Sequence, residues 1–242
     1  MLQGYYSAAS GMSAAMQNQD ILAQNLAYFP VSGYRRQSLS FGEFTDPSGA
    51  TNTSTPNQSL YGAEVVQNSS SFAAGPFQRT GNPFECAIQG DGFFVLEGPG
   101  GPLYTRNGEF HLNAEGQLVS ASGYAVAASS GQLRIPADAA HIDIAQDGSV
   151  STNGMTVGQI RLASFNDPSQ LERVGTTLFS APNGVTPQTS TAYVRQGYRE
   201  GSNVQVVQEM VQMLAGMRQY EAAAKAMRSL SDAMQQRTNA QM

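Results

Sequence analysis

Residues 203–234 read NVQVVQEMVQMLAGMRQYEAAAKAMRSLSDAM. Val207, Met210, Leu214, Met217, Tyr220, Ala224, Met227, Leu230 and Met234 step along this run by threes and fours. That is the period of an α-helix with a single apolar stripe. Pro187 is the last proline of the chain, and Gly216 is the only glycine inside the run. About 35 residues at 1.5 Å each give a rod of roughly 50 Å, far longer than the three-turn helix usual in a compact domain. Ser202 or Asn203 offers a side-chain oxygen to cap its start. A helix of this length needs a partner all along its stripe.

A second helix is expected at the other end of the chain. From Tyr5 to Ala27 there is no proline and one glycine, Gly11, and Tyr5, Ala8, Met12, Ala15, Leu22 and Leu26 again alternate threes and fours. Gln19 alone interrupts the stripe, and the spacing suits a packed seam. Pro30 and Gly33 stop the helix, because proline cannot continue it. The two stripes can pair with each other, with further copies, or both.

Between the helices the period changes. Phe93-Phe94-Val95-Leu96, Gln117-Leu118-Val119, His141-Ile142-Asp143-Ile144 and Gln159-Ile160-Arg161-Leu162 read as strands. They are separated by Gly90-Asp91-Gly92, Gly98 to Gly101, Asn107-Gly108, Asp147-Gly148 and Asn153-Gly154, pairs that supply the positive φ of tight turns. Thr45 to Ser59 is rich in Ser, Thr, Asn and Pro and reads as a linker. The expected organisation is a helix and turn over 1–36 and an extended linker over 37–80. A β-rich domain of hairpins over 81–185, a return segment over 186–201 and a helix over 202–242 complete it. The fold class is α+β, with the two helices forming a coiled-coil-like arm.

Composition removes several function classes. A net charge of −5 and a pI near 5.0 disfavour a nucleic-acid binder, which needs a basic face. No apolar run approaches the ~20 residues that cross a bilayer, so membrane insertion is not expected. The first residues lack a basic and then apolar leader, so no cleavable signal peptide is expected. One cysteine, Cys86, excludes an internal disulfide, and two histidines leave little for zinc. Charged residues make up only 13%, which leaves little repulsion between neighbouring copies.

No catalytic group emerges. His141 and Asp143 share one strand face, but nothing marks a nucleophile to join them. Cys86 has no basic neighbour to lower its pKa and reads as a buried, inert thiol. The glycine clusters lack phosphate-loop spacing, and Asp91 and Asp147 lack the ligand density of a calcium loop. No cofactor or metal is expected. The methionines of the C-terminal stripe suit a core seam or an interface that adapts to differing neighbours.

Three blocks then resemble the bacterial flagellar rod and hook family, most closely the basal-body rod proteins. They are Asn25-Leu26-Ala27 with Gly33-Tyr34-Arg35-Arg36; Ala87 to Val95 with Tyr104-Thr105-Arg106-Asn107-Gly108-Glu109-Phe110; and Ser202-Asn203-Val204 with Glu209-Met210-Val211, Arg218, Tyr220-Glu221 and Lys225. Tyr28 and Phe29-Pro30-Val31 depart from the family pattern. The resemblance implies a structural subunit, not an enzyme, exported by the flagellar type III apparatus. Terminal helices would form the inner tube of the rod, and the partners would be the chain itself and other axial proteins of rod and hook. Within that resemblance the Phe93-Phe94 pair and the C-terminal block favour the distal position in the rod, and the short length and compact linker leave the proximal position or a paralogue open. The assembly interface expected on this reading comprises Met12, Leu22, Asn25, Leu26, Val207, Met210, Leu214, Met217, Tyr220 and Met227. A non-enzymatic binding or export-accessory module with helical arms is the other class.

Overall fold

In the computed structural model the described residues are 2–45, 60–129, 133–136, 139 and 141–239, less the side chains of 2–8, 43–45, 60–67, 230, 234, 237 and 238. The linker expected over 45–59 lies outside the described residues from 46 onward, as do the side chains of Tyr5, Ala8, Leu230 and Met234.

The apolar run Phe93-Phe94-Val95-Leu96 lies on a strand buried on both faces. Strands β1 to β6 span Gln37–Thr45, Leu60–Ser70, Phe77–Arg79, Cys86–Gln89, Phe93–Gly98 and Gly101–Thr105. On β5, Phe94 and Leu96 point into one apolar cluster, with Ile88, Phe110, Leu118, Val150 and Ile160 among its members. Phe93 and Val95 point the other way, into a cluster with Tyr104, Phe165, Leu171 and Phe179. Such burial on both faces is why the strand reads as a continuous apolar run and not as an alternation. Along one edge β5 pairs with β6, and along the other with Leu162–Ser164 and Ala125–Val126, all antiparallel.

A three-stranded meander over Ile142–Ile144, Ser149–Thr152 and Met155–Gln159 places Ile142, Ile144 and Val150 on the first cluster. Its second turn is Asn153-Gly154, with φ of 50° and 83°, the double positive φ that an Asn-Gly hairpin needs. Asn107-Gly108 is not such a turn; Gly108 instead lies against the Cys86 carbonyl, which leaves no room for a Cβ. Gln159 to Leu162 is not one strand either. It spans the end of one and the start of the next, with Ile160 bridging to Ala128. The return segment runs back as strands: Tyr193–Gln196 pairs with β4 and Tyr198–Glu200 with β3.

The chain divides into two compact units, one of Tyr28–Arg36 and Ser71–Val204, the other of Met1–Ala27, Gln37–Ser70 and Gln205–Met242. The second unit holds α1 (Leu2–Tyr28, up to Ala27), α2 (Val206–Asn239) and the antiparallel pair of β1 with β2. That ribbon occupies much of the stretch read as extended linker.

The coiled-coil-like arm is not what the structure contains. At about 100° per residue, Val207, Met210, Leu214 and Met217 share one side of α2, and all four are exposed. The opposite side, with buried Glu209 and Gly216 and half-buried Gln212, Met213 and Tyr220, is the inner one. There Gln19 Nε2 donates to the Met213 carbonyl at 3.1 Å, and Asn25 Nδ2 to Glu209 Oε2 at 3.0 Å. A coiled coil needs apolar knobs in its seam; these contacts are polar, and the stripe from Val207 to Met217 is exposed, while only its later members Tyr220, Ala224 and Met227 are half-buried. What remains of the expectation is two terminal helices and a β-rich body. α2 also starts later than a Ser202 or Asn203 cap would place it, since Glu209 N donates to Gln205 O.

Candidate assembly interface

The expected interface residues fall into two sets. Leu22 is 3% exposed and Asn25 fully buried, while Met12, Leu26, Tyr220 and Met227 are half-buried. Asn25 is locked within its own subunit: its Nδ2 donates to Gln37 O and Glu209 Oε2, and its Oδ1 accepts from Gln37 N, at 2.9–3.0 Å. Leu22 and Asn25 are thus buried within the monomer. Val207, Met210, Leu214 and Met217 are open to solvent at 77, 51, 58 and 45%. Val211, which the stripe reading passed over, is 61% exposed on the same arc. Two adjacent stripes at i, i+3, i+4 spacing could have revealed it. Met16, 56% exposed on α1, and Met217 border a cavity of about 480 Å³ with Gln19, Asp20, Tyr220 and Glu221.

Such an arc can do one thing chemically: exclude water against another apolar surface. Burying a Val, Leu or Met side chain fully contributes about 1.5–3 kcal/mol, so five of them supply a substantial driving force. It carries no groups for bond-making chemistry. Among the described residues no cluster of His, Cys, Asp and Glu is placed to hold a metal ion, and no helix is long and apolar enough to cross a membrane. His141 Nε2 lies 3.2 Å from Asp143 Oδ1, both well exposed at the edge of the meander.

Polar residues of the three family-like blocks meet inside the β-rich unit. Arg35 and Glu200, both 0% exposed, pair at 2.6 Å. Glu200 also accepts from Gly75 N at 3.0 Å, and its second oxygen lies 3.4 Å from Arg106 Nη1. Arg106 donates further to the carbonyl of Gly90 at 2.8 Å and stacks over Phe93 at 5.3 Å. Burial lowers the pKa of Arg106, and Glu200 pulls it back up. Arg173 donates to Arg35 O at 2.6 Å and lies over the rings of Tyr34 and Phe179. Ser32 and Arg199 both donate to Glu109 Oε1, at 2.7 and 3.2 Å. Asn203 accepts from Arg36 N at 2.7 Å and donates to Ser71 O and Ala73 O at 2.8 and 2.9 Å. Arg35, Arg106 and Asn203 stand in the family-like blocks, but Glu200 does not, and its two arginine partners lie 94 and 165 residues away.

Known proteins resemble this arrangement over nearly its whole length. Residues 87–152 match the family described as the flagellar hook protein FlgE/F/G D1 domain, and 195–240 match the flagellar basal body rod FlgEFG protein C-terminal region. The flagellar basal-body rod protein FlgG of Agrobacterium fabrum is 34% identical, covering 90% of this chain and 91% of that protein. The rod protein FlgF of Caulobacter vibrioides is 33% identical over 92% and 91%. FlgG of Bacillus subtilis is 28% identical over 99% of each.

Proposed function

Because this chain belongs to the flagellar basal-body rod protein family, whose members are structural subunits of the rod and not enzymes, we propose that it polymerises through the outward arc of its C-terminal helix. The chain is a rod component and assembles with other axial proteins of the flagellum. The arc of Val207, Met210, Val211, Leu214 and Met217 is the face a neighbouring copy covers, with Met16 extending it on α1. One observation carries this reading. Val207, Met210, Val211 and Leu214 are exposed on the side of α2 opposite Glu209 and Gly216, and Met217 continues them to the edge of the cavity it borders with Met16. Leu22 and Asn25 act inside the subunit, by fixing α1. The subunit travels by the flagellar type III route, on the pattern the resemblance implies. Its loss from the secreted fraction of an export-deficient strain checks that step.

The interface is tested with Leu214→Asp. A carboxylate forced into a dry contact costs several kcal/mol at every copy. In the monomer the same side chain meets water, so folding and subunit level stay unchanged. Rods counted by electron microscopy of purified basal bodies should be absent. Gln219→Asp, exposed on the flank of the helix, leaves rods in near-normal number. Normal rods with Leu214→Asp would remove this arc from the interface.

A further inference from the structure

We propose that Asn203 is a positioning residue for assembly: its carboxamide clamps three chain roots at one point of the β-rich unit. The inference rests on the assembly reading above. The chain crosses from one compact unit to the other at four places, 27/28, 36/37, 70/71 and 204/205. At two of these the last residue within the β-rich unit, Arg36 or Ser71, is hydrogen-bonded to Asn203, and at a third Asn203 itself leads into the crossing. Its Oδ1 accepts from Arg36 N at 2.7 Å, one residue before β1 begins. Its Nδ2 donates to Ser71 O at 2.8 Å, one residue after β2 ends, and to Ala73 O at 2.9 Å. Ser71 N in turn donates to Arg36 O at 2.8 Å. Asn203 itself stands two residues before the 204/205 crossing that leads into α2.

Only a side-chain amide performs this task. It offers an acceptor on one atom and two donor hydrogens on the other, matching one N–H and two carbonyls. Aspartate would keep the bond from Arg36 N and set its charge against two carbonyl oxygens. Asn203 is a member of neither apolar cluster of the body; Phe72, between its acceptors Ser71 and Ala73, packs against the second with its own side chain. The clamp's effect falls on what leaves the three roots. An interface helix that departs from a fixed root has already given up orientational freedom, which each added copy would otherwise lose on docking.

The test uses the full-length chain with Asn203→Ala and Asn203→Asp. By hydrogen exchange, the amides of Arg36 and Ser71 should open about tenfold or more faster than in the parent. The amides of Val95 and Ala127, which donate to Arg161 O and Val95 O inside the sheet, should stay within about twofold. In complemented cells both variants should give normal subunit levels and few or no rods, with Asn203→Asp at least as defective as Asn203→Ala. A residue that merely stabilises the body would speed core and root amides together, and that result overturns the proposal. So does an Asn203→Ala chain that is unfolded, unchanged at its roots, or able to build rods with loosened roots. Leu214→Asp separates the two readings, since it blocks rods with root exchange unchanged. If Leu214→Asp builds rods while Asn203→Ala does not, the interface reading fails and the clamp stands.

Discussion

Glu200 concentrates more of the fold on one side chain than any neighbour does. It balances Arg35 at zero exposure and receives Arg106 and a backbone N–H as well. Glu200→Gln leaves a buried guanidinium without its counter-charge, and a broken buried pair costs about 3–5 kcal/mol. Urea denaturation should show that loss, with an unchanged slope if the unfolded state is unaffected. Cys86 gives a pH signature. Burial, with Glu85 beside it, pushes its thiol from 9.0 up to about 12. The folded pKa is the higher one, so the neutral thiol's contribution is complete below pH 9 and is lost as pH rises toward 12. The melting temperature should fall across that window, at most by the equivalent of about 1.4 kcal/mol per pH unit. Cys86→Ala should flatten the fall, and a thiol reagent at pH 8 should label the parent only after denaturation.

Helix and ribbon stand on a different footing from the sheet. α1 donates to α2 through the amides of Gln19 and Asn25 and borders with it a cavity beside Met16, Met217 and Tyr220, whereas the β-rich unit encloses two apolar clusters. Limited proteolysis of the monomer should therefore leave a core near 71–204. The 28–36 segment should stay bound to it after cleavage, because Tyr34 and Arg35 are fully buried there. Native and denaturing mass spectrometry would separate a retained segment from a lost one. Much of this was legible beforehand. The period of 203–234 announced α2, and Asn153-Gly154 and Asp147-Gly148 announced two hairpins. The direction of the stripe was not legible, since a period shows that a face exists and not what it meets. The side of α2 that meets α1 carries Glu209 and Gly216, residues no apolar pattern selects, beside Tyr220. β1 and β2 were hidden for a related reason: Gln37-Ser38-Leu39-Ser40 and Gln67-Asn68-Ser69-Ser70 pair in register while offering too little apolar alternation to read as strands.

The molecule as a whole couples a weakly charged surface to one apolar arc. Assembly driven by that arc should respond little to sodium chloride between about 0.05 and 0.5 M, because no exposed ion pair sets it. Sulfate should strengthen it, since excluded salts favour apolar burial. Light scattering of the purified subunit across both series checks this, and assembly that collapses in sodium chloride would point to charges instead. The pairing of Arg35 with Glu200 has a consequence in time. The two lie 165 residues apart, and closing a loop of that length costs about 4–5 kcal/mol of chain entropy before any contact returns it. The Asn153-Gly154 hairpin, by contrast, can form within about 10 μs of its residues becoming free. During synthesis, Arg35 has no counter-ion until Glu200 has left the ribosome, some ten seconds or more later at about 5–20 residues per second. The nascent chain is thus held in an incomplete state by its own topology, and its folding clock starts only near its end.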